Sequence, residues 1–383
     1  MTTSLFDQLR TGRLEAYRHA PDDIQEHVEI EEEVLAGSYS YRQVVELVQN
    51  GADAILEYQQ EIRREEDTEA RITVKLVDQF LYVGNTGAPL STVGARALLQ
   101  SHSSPKRGNQ IGRFGIGFKS LLRLGGRIDL ISRSMSMRFD PEKARDLIRR
   151  EMSLTDTVPV PGLRIAWGLD GEAERNADPV LGDFGWATTI VRAEIRDPFM
   201  LGHLREEMER FPAPFLLFLP VPVKLAMDFG AGTLRSLERR KEEKETILID
   251  GNDVSRWSVV EREIAIPNAD AISDARKLHA RNKVPIAWAM PLDSKQEETG
   301  RFWAFFPTET LSRMPGIINA PWKLNSDRKA LIDGDWNKVL MREAAAIISE
   351  ALPNISVPED PARVLDAFPR RLDRQDEIAA TLV

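Results

Sequence analysis

Tyr41-Arg-Gln-Val-Val-Glu-Leu-Val-Gln-Asn-Gly-Ala-Asp-Ala54 is the stretch on which the fold turns. Wound as a helix, it sets Glu46, Asn50 and Asp53 on one face, at spacings of four and three residues. Val44, Val45, Val48, Ala52 and Ile55 cover the rest of the inward surface, so the three polar groups sit beside a core. Two carboxylates and an amide are expensive to bury together unless something binds them. Further along, Ile111-Gly-Arg-Phe-Gly-Ile-Gly-Phe-Lys-Ser120 makes a glycine-rich turn that feeds a helix. An acid, an amide and a phosphate cradle together point to a magnesium-nucleotide site.

The chain has 383 residues, 42% of them apolar and 29% charged, an ordinary globular balance with length for two or three domains. No window approaches the roughly eighteen uninterrupted apolar residues of a membrane span, and the first residues carry no basic-then-apolar pattern. With no cysteine, a disulfide framework, a thiol nucleophile and a thiolate metal site are excluded. A cytoplasmic location is the expectation, which the absence of cysteine permits rather than demands. His19, His27, His102, His203 and His279 form no HExxH, against a zinc hydrolase. The net charge of −9 gives no support for sequence-independent nucleic-acid binding by the chain as a whole.

Residues 1–35 are expected as an N-terminal arm, with the acidic run Glu26 to Glu33 as a solvated helix face or strand edge. The helix from Tyr41 runs into the charged stretch 59–66. Ile72–Val77 alternates as a strand, Asp78-Gln79 turns it, and Leu81–Val83 returns. Gly84-Asn-Thr-Gly-Ala-Pro89 is a loop, Thr92–Gln100 a short helix, and His102–Gln110 a polar linker. A helix from Lys119 follows, with strands near 127–132, 163–168 and 188–194. This is α+β architecture, helices on one face of a mixed or antiparallel sheet. A second α/β domain is expected over 196–352. In it, Phe215–Val223, Ile286–Met290 and Arg301–Phe306 read as strands, Ser236–Thr246 as a charged excursion and Trp336–Leu352 as an amphipathic helix. Residues 353–383 read as a linker and helical tail, and the missing stop signal leads to the expectation of a longer polypeptide.

The glycines of Gly112-x-x-Gly115-x-Gly117 let successive backbone N–H groups converge, and a following helix N-terminus adds positive potential. The spacing is neither the dinucleotide fingerprint nor a Walker loop, since Phe118 precedes Lys119-Ser120. On the helix, Asn50 can hold Mg²⁺ through its side-chain oxygen, leaving Glu46 to orient and deprotonate a water facing a γ-phosphate. Taken alone, ExxxN is most often the wet edge of an amphipathic helix, and a glycine triplet most often a packing turn. Their order carries the information: ExxxN on a helix, then a strand and an N-x-G loop, then GxxGxG opening a helix.

In that order the chain resembles the GHKL ATPases: gyrase B, the ninety-kilodalton heat-shock chaperone, histidine kinases and MutL. The resemblance covers about residues 20–195, and 196–350 more weakly. It implies a GHKL (Bergerat) α/β sandwich over 36–195, followed by a transducer-like middle domain. Glu46 matches the family's catalytic base, Asn50 its magnesium ligand and Asp53 an acidic residue bordering the nucleotide. Asn85-Thr-Gly87 falls where the family reads adenine with Asp-x-Gly, and Ile111–Ser120 is close to the chaperone form IGQFGVGFYS. That match implies nucleotide contacts at Gly112, Phe114, Gly115, Ile116, Gly117, Phe118 and Lys119. Thr188 falls where a threonine helps hold the adenine-side water, and residues 90–111 resemble the movable lid, with Ser101, Ser103 and Lys106 as phosphate contacts.

Leu324-Asn-Ser-Asp-Arg328 resembles the chaperone's catalytic loop, whose arginine reaches the γ-phosphate; Lys323 and Lys329 are the fallback cations. From the residues alone a capping turn through Ser326 or Asp327 is equally open. The phrases Phe114–Ser120, Phe306-Pro-Thr308 and Asn325–Arg328 look most like sacsin-type ATPases, whose bacterial relatives stand at the front of large proteins, some beside phage-defence genes. The resemblance thus implies Mg-dependent ATP hydrolysis, with lid closure and pairing of two ATPase domains driving chaperone-like or defence work. The alternative is a nucleotide-gated signalling module with negligible hydrolysis. Two departures stand out: Asn85 replaces the usual Asp, and Pro89 a common glycine. An amide can accept or donate, so weaker discrimination against guanine is expected.

Overall fold

A computed structural model describes residues 5–36, 42–62, 69–99, 117–219, 221–230, 232–243, 245–265, 283–293, 300–325, 329–356 and 360–368. The chain divides into two compact units. One holds the residues up to Phe211 together with Val223–Ser236; the other holds Pro212–Pro222 and the residues from Leu237 onward.

The first unit opens with two helices, α1 (Leu5–His19) and α2 (Asp22–Ala36). Leu14, Tyr17 and Ile24 bury against Ala144, Ile148 and Ile165, so this segment is part of the body of the unit rather than an arm. The acidic run is indeed mostly the wet face of α2, with one exception. Glu31 turns inward at 4% exposure and accepts the Gly162 and Leu163 N–H groups at 2.7 and 2.9 Å.

Helix α3 (Gln43–Ile62) follows, then the hairpin β1 (Arg71–Val77) and β2 (Phe80–Asn85). Val77 pairs with Phe80 across a two-residue turn in which Asp78 takes a left-handed φ of 51°. Asp tolerates that conformation, so the turn is its structural role. Next come α4 (Thr92–Leu98), a 3₁₀ helix at Gly117–Leu124, β3 (Gly125–Ser132), β4 (Ser136–Phe139), α5 (Pro141–Glu151) and the two-residue β5 (Trp167–Gly168). Short helices α6 (Gly171–Ala177) and α7 (Pro179–Gly182), β6 (Thr189–Ile195), α8 (Pro198–Glu209) and β7 (Lys224–Asp228) complete the unit. The sheet order is β7-β1-β2-β6-β3-β4-β5; β1 runs parallel to β7 and its other pairings are antiparallel. It is therefore a mixed sheet, as the sequence predicts.

Helix cover differs from the expectation of one face only. α3 packs on β1 and β2 from one side and is buried almost all round between residues 43 and 53. On the other side, Leu181 and Phe184, in and just after α7, pack on Tyr82, Ile131 and Ile190. α8 packs against α3 and so belongs to the first unit, not with the residues from 196 onward.

The second unit contains β8 (Leu234–Lys241, from Leu237), β9 (Thr246–Asp250), β10 (Asp253–Ala265), β11 (Lys283–Pro291), β12 (Gly300–Trp303), β13 (Pro307–Ser312) and β14 (Ile317–Asn319). Their order is β13-β12-β14-β11-β10-β9-β8. Helix α9 (Asp335–Ala351) lays Trp336, Leu340, Ala344 and Ile348 on Ile286, Trp288 and Ile318, a four-residue repeat that makes one apolar stripe. Of the run read as a strand at Phe215–Val223, residues 215–218 belong to a 3₁₀ helix, Ala213–Phe218, and none is in a strand among the described residues; Pro222 within it lacks the N–H group a ladder needs. Among the described residues, no helix is long and apolar enough to cross a membrane.

Candidate functional site

One end of the α3 face of the first sheet gathers most of the polar residues singled out by sequence. Glu46 is 9% exposed, Asp53 2% and Asn85 7%, while Asn50 is half-buried. The Asn85–Gly87 loop docks directly on α3. Ala88 N–H donates to Ala54 O at 2.8 Å, closing the loop on the helix one residue past Asp53. Gly87 has φ +118°, and a Cβ there would lie 2.6 Å from the Ala54 carbonyl and the Ile55 nitrogen, so only glycine fits. A Cβ on Gly51, the residue after Asn50, would stand 3.2 Å from Asn85 Cβ. The ExxxN helix and the N-x-G loop are thus in van der Waals reach of each other.

Asn85 Nδ2 donates to Thr86 O at 2.7 Å. Its Oδ1 accepts no hydrogen bond among the described residues and is not sealed from solvent. The amide therefore keeps an acceptor, and its second N–H, free of bonds to the described residues. Thr188 contributes its main chain here, its N–H donating to Asn85 O at 2.9 Å. Directly across from Asn85 stands Thr189, and across from Thr189 stands Ser132. Residues opposed in an antiparallel pair share a face, so the three polar side chains line one row at the sheet's end. The Thr189 and Ser132 hydroxyls lie 2.8 Å apart. Ser132 Oγ also accepts Leu90 N–H at 3.0 Å, fixing the start of the expected lid, whose α4 is capped by Ser91. Thr189 and Ser132 went unnoticed in the sequence; the signal available was a hydroxyl ending an otherwise apolar strand.

The remainder of the glycine motif is divided. Lys106, Gly112, Phe114, Gly115 and Ile116 lie outside the described residues, as do Ser101 and Ser103. Gly117 opens the 3₁₀ helix, and this tighter winding stands where an α-helix from Lys119 is expected. Phe118 packs on Phe139, with ring centroids 5.3 Å apart, and belongs to the core. Gln43, the first residue of α3, donates from Nε2 to Ser120 O at 3.1 Å, which ties the helix to the end of the motif. Lys119 is 1% exposed; burial brings its ammonium down to about 7, with Arg164 adding to the fall and Glu31 opposing it. Arg164, 1% exposed itself, has no hydrogen-bond partner for any of its three guanidinium nitrogens among the described residues.

In the second unit, Arg328 lies outside the described residues, as do Ser326 and Asp327. The flanks form a closed loop. Asn325 Oδ1 accepts Lys329 N–H and Ala330 N–H at 3.0 and 3.1 Å, and Leu324 bridges Leu331. Lys323 N–H is held by Asn337 Oδ1 at 2.8 Å, and Lys329 pairs with Glu309 at 3.2 Å.

Among the described residues, helix α3 starts without a side-chain cap from its own N-cap position. Glu46 N–H donates to Arg42 O at 3.0 Å, which makes Arg42 the N-cap, and an arginine side chain has no acceptor. Glu207 of α8 supplies it: Oε2 accepts Val44 N–H at 3.1 Å and Oε1 accepts Val45 N–H at 2.9 Å. Burial pushes the Glu207 carboxyl up to about 7; the two N–H bonds and Arg42 oppose that rise, and the nearby Glu46 adds to it.

No protein-family model matches the sequence, and no curated protein matches it significantly.

Proposed function

We propose that this chain is a Mg-dependent ATP-binding and ATP-hydrolysing module of GHKL type, with Glu46 as the base that orients and deprotonates the attacking water. The docking of the Asn85–Gly87 loop on α3 carries this proposal: it brings Asn85 against Gly51, the residue after Asn50, on the helix that carries Glu46 one turn earlier than Asn50. The bond from Gln43 to Ser120 O adds the end of the glycine motif to the same helix. Helix, loop and glycine turn are three parts of one nucleotide site in that family.

Asn85 bears on the base preference. Thr86 O engages one of the two Nδ2 hydrogens, so the amide keeps an acceptor for adenine's amino group and a second donor for guanine's O6. Weaker discrimination between the two bases than an aspartate would give follows. Among the described residues no cluster of three or more His, Asp or Glu could cage a metal ion. A magnesium ion would instead be shared between the Asn50 side-chain oxygen and the substrate's phosphates, the arrangement this ion favours. When bound it would offset charge building on the β- and γ-phosphates. Glu46 is close to fully buried on the same helix, where water is scarce and a carboxylate's orientation is fixed by packing. Within this proposal residues 90–111 form the lid, and its closure couples ATP to pairing of two copies.

Nucleotide titration tests the proposal. Asn50→Ala is expected to weaken Mg-ATP binding about tenfold or more while leaving binding in chelator unchanged. GTP is expected to displace ATP at moderate excess. Magnesium-independent binding would remove Asn50 from its role, and failure of GTP to displace ATP even at large excess would remove Asn85 from its own.

A further inference from the structure

From the start of α3 we infer that Glu207 is a positioning residue for Glu46: its carboxylate, reaching from α8, fixes the first turn of the helix that carries the proposed base. The inference rests on the ATPase proposal for its kinetic consequence and on geometry alone for the cap.

The first N–H groups of a helix have no partner within it, and a side chain at the N-cap usually accepts from the second or third of them. Arg42 cannot do so. Glu207 takes both, one oxygen on Val44 and the other on Val45. The two capped amides immediately precede Glu46, so the backbone that aims the Glu46 side chain is clamped at that point. The same turn is held from a second direction, by Gln43 on Ser120 O at the end of the glycine motif. A carboxylate also suits the positive end of a helix better than a neutral cap would. Among the described residues, the turn is therefore held by contacts from two other elements.

The charged groups bearing on Glu207 are Arg42 and Glu46 from α3, with His203 one turn back on its own helix. The charged residues of β6, against which α8 also packs, are engaged elsewhere: Arg192 on Asp129 and Glu194 on Arg127.

The test uses the full chain with Glu207→Ala and Glu207→Gln, reading hydrogen exchange at the Val44 and Val45 amides, ATP affinity and steady-state phosphate release. In Glu207→Ala the two amides are expected to exchange faster and kcat to fall about tenfold or more, since small misplacements of a catalytic group are costly. ATP affinity should change by less than about twofold, because the nucleotide contacts lie further along α3. Glu207→Gln keeps one acceptor and is expected to fall between wild type and Glu207→Ala in both exchange and kcat; it also covers the case in which the alanine variant does not fold. Unchanged exchange would overturn the cap. Faster exchange with unchanged kcat would leave a cap but overturn the positioning role. A wild type that binds no ATP overturns the ATPase proposal itself, and the exchange data then still report separately on the cap.

Discussion

Arg192 and Arg164 are both buried in the first unit, and the fold treats them in opposite ways. Arg192 on β6 has every guanidinium nitrogen bonded: Nε and Nη2 to Asp129 at 3.0 and 2.6 Å, Nη1 to Asp178 at 2.9 Å, and Nη2 also to Glu174. Arg138 adds a bidentate pair to the same Asp129, at 2.6 and 2.9 Å, and Tyr82 donates to Asp178. Burial alone would lower the Arg192 guanidinium's proton affinity; its carboxylate partners reverse that and raise it. This network is closed on itself and pins α6 and α7 to the sheet. Arg164 has none of these bonds, and Lys119 beside it is held near 7 by burial. Glu207, which caps the start of α3, is displaced toward 7 as well. Saturated charge marks scaffold, whereas Lys119 and Glu207, the two groups that burial moves to about 7, lie at the end of the glycine motif and at the start of α3.

The largest expected effect is at the saturated end. Arg192→Met leaves Asp178 without its cation and Asp129 and Glu174 with Arg138 alone, and should cost about 3–5 kcal/mol in denaturant unfolding. Arg164→Met should move stability the other way or not at all, by about 0–3 kcal/mol, because it removes an unpaired buried charge. A loss as large as that of Arg192→Met would break the contrast and mean that an acceptor reaches Arg164.

The remaining two predictions sharpen it through pH. Lys119 is lowered from its ordinary 10.5 to about 7. Between those values the unfolded chain holds a proton that the folded chain lacks, so wild-type stability rises with pH across that window. Lys119→Met should therefore gain most over wild type below pH 7, on the order of 1 kcal/mol or more, and progressively less toward pH 10. Glu207 runs the opposite way, raised from 4.5 to about 7. Over that interval the folded chain holds the extra proton, so its contribution is present at low pH and lost as pH rises through 7. Set against the constant cost of the acceptor it loses, Glu207→Gln should improve relative to wild type by about 1 kcal/mol as pH rises from about 5 to 8, read from chemical denaturation at several pH values.

How much of this was legible in the sequence follows from the range of each interaction. α3 and the β1–β2 hairpin were readable because periodicity and a two-residue turn are local signals. Phe215–Val223 misled because a short apolar run looks alike in a strand and a buried 3₁₀ helix. Ser236–Thr246 read as a charged excursion, yet much of it is strand, β8 and the start of β9, with charged residues on half-exposed pairs. Glu46, Asn50 and Asp53 stood out because three polar groups interrupt an apolar helix. Glu207 could not: it lies 163 residues from the amide of Val44 that it caps. Only the arginine at the N-cap hinted that an acceptor had to come from elsewhere. Sequence position does not separate the adjacent Thr188 and Thr189; strand pairing puts the Thr189 side chain on the same face as Asn85.

Steady-state phosphate release with Mg-ATP, wild type beside Glu46→Ala and with nucleotide binding measured on both, tests the central claim most directly. The account predicts magnesium-dependent turnover in the wild type, a loss on the order of a hundredfold or more in the variant, and nucleotide binding kept in both. Equal turnover in the two proteins would contradict Glu46 as the base, and binding without turnover in either would point to the nucleotide-gated module instead.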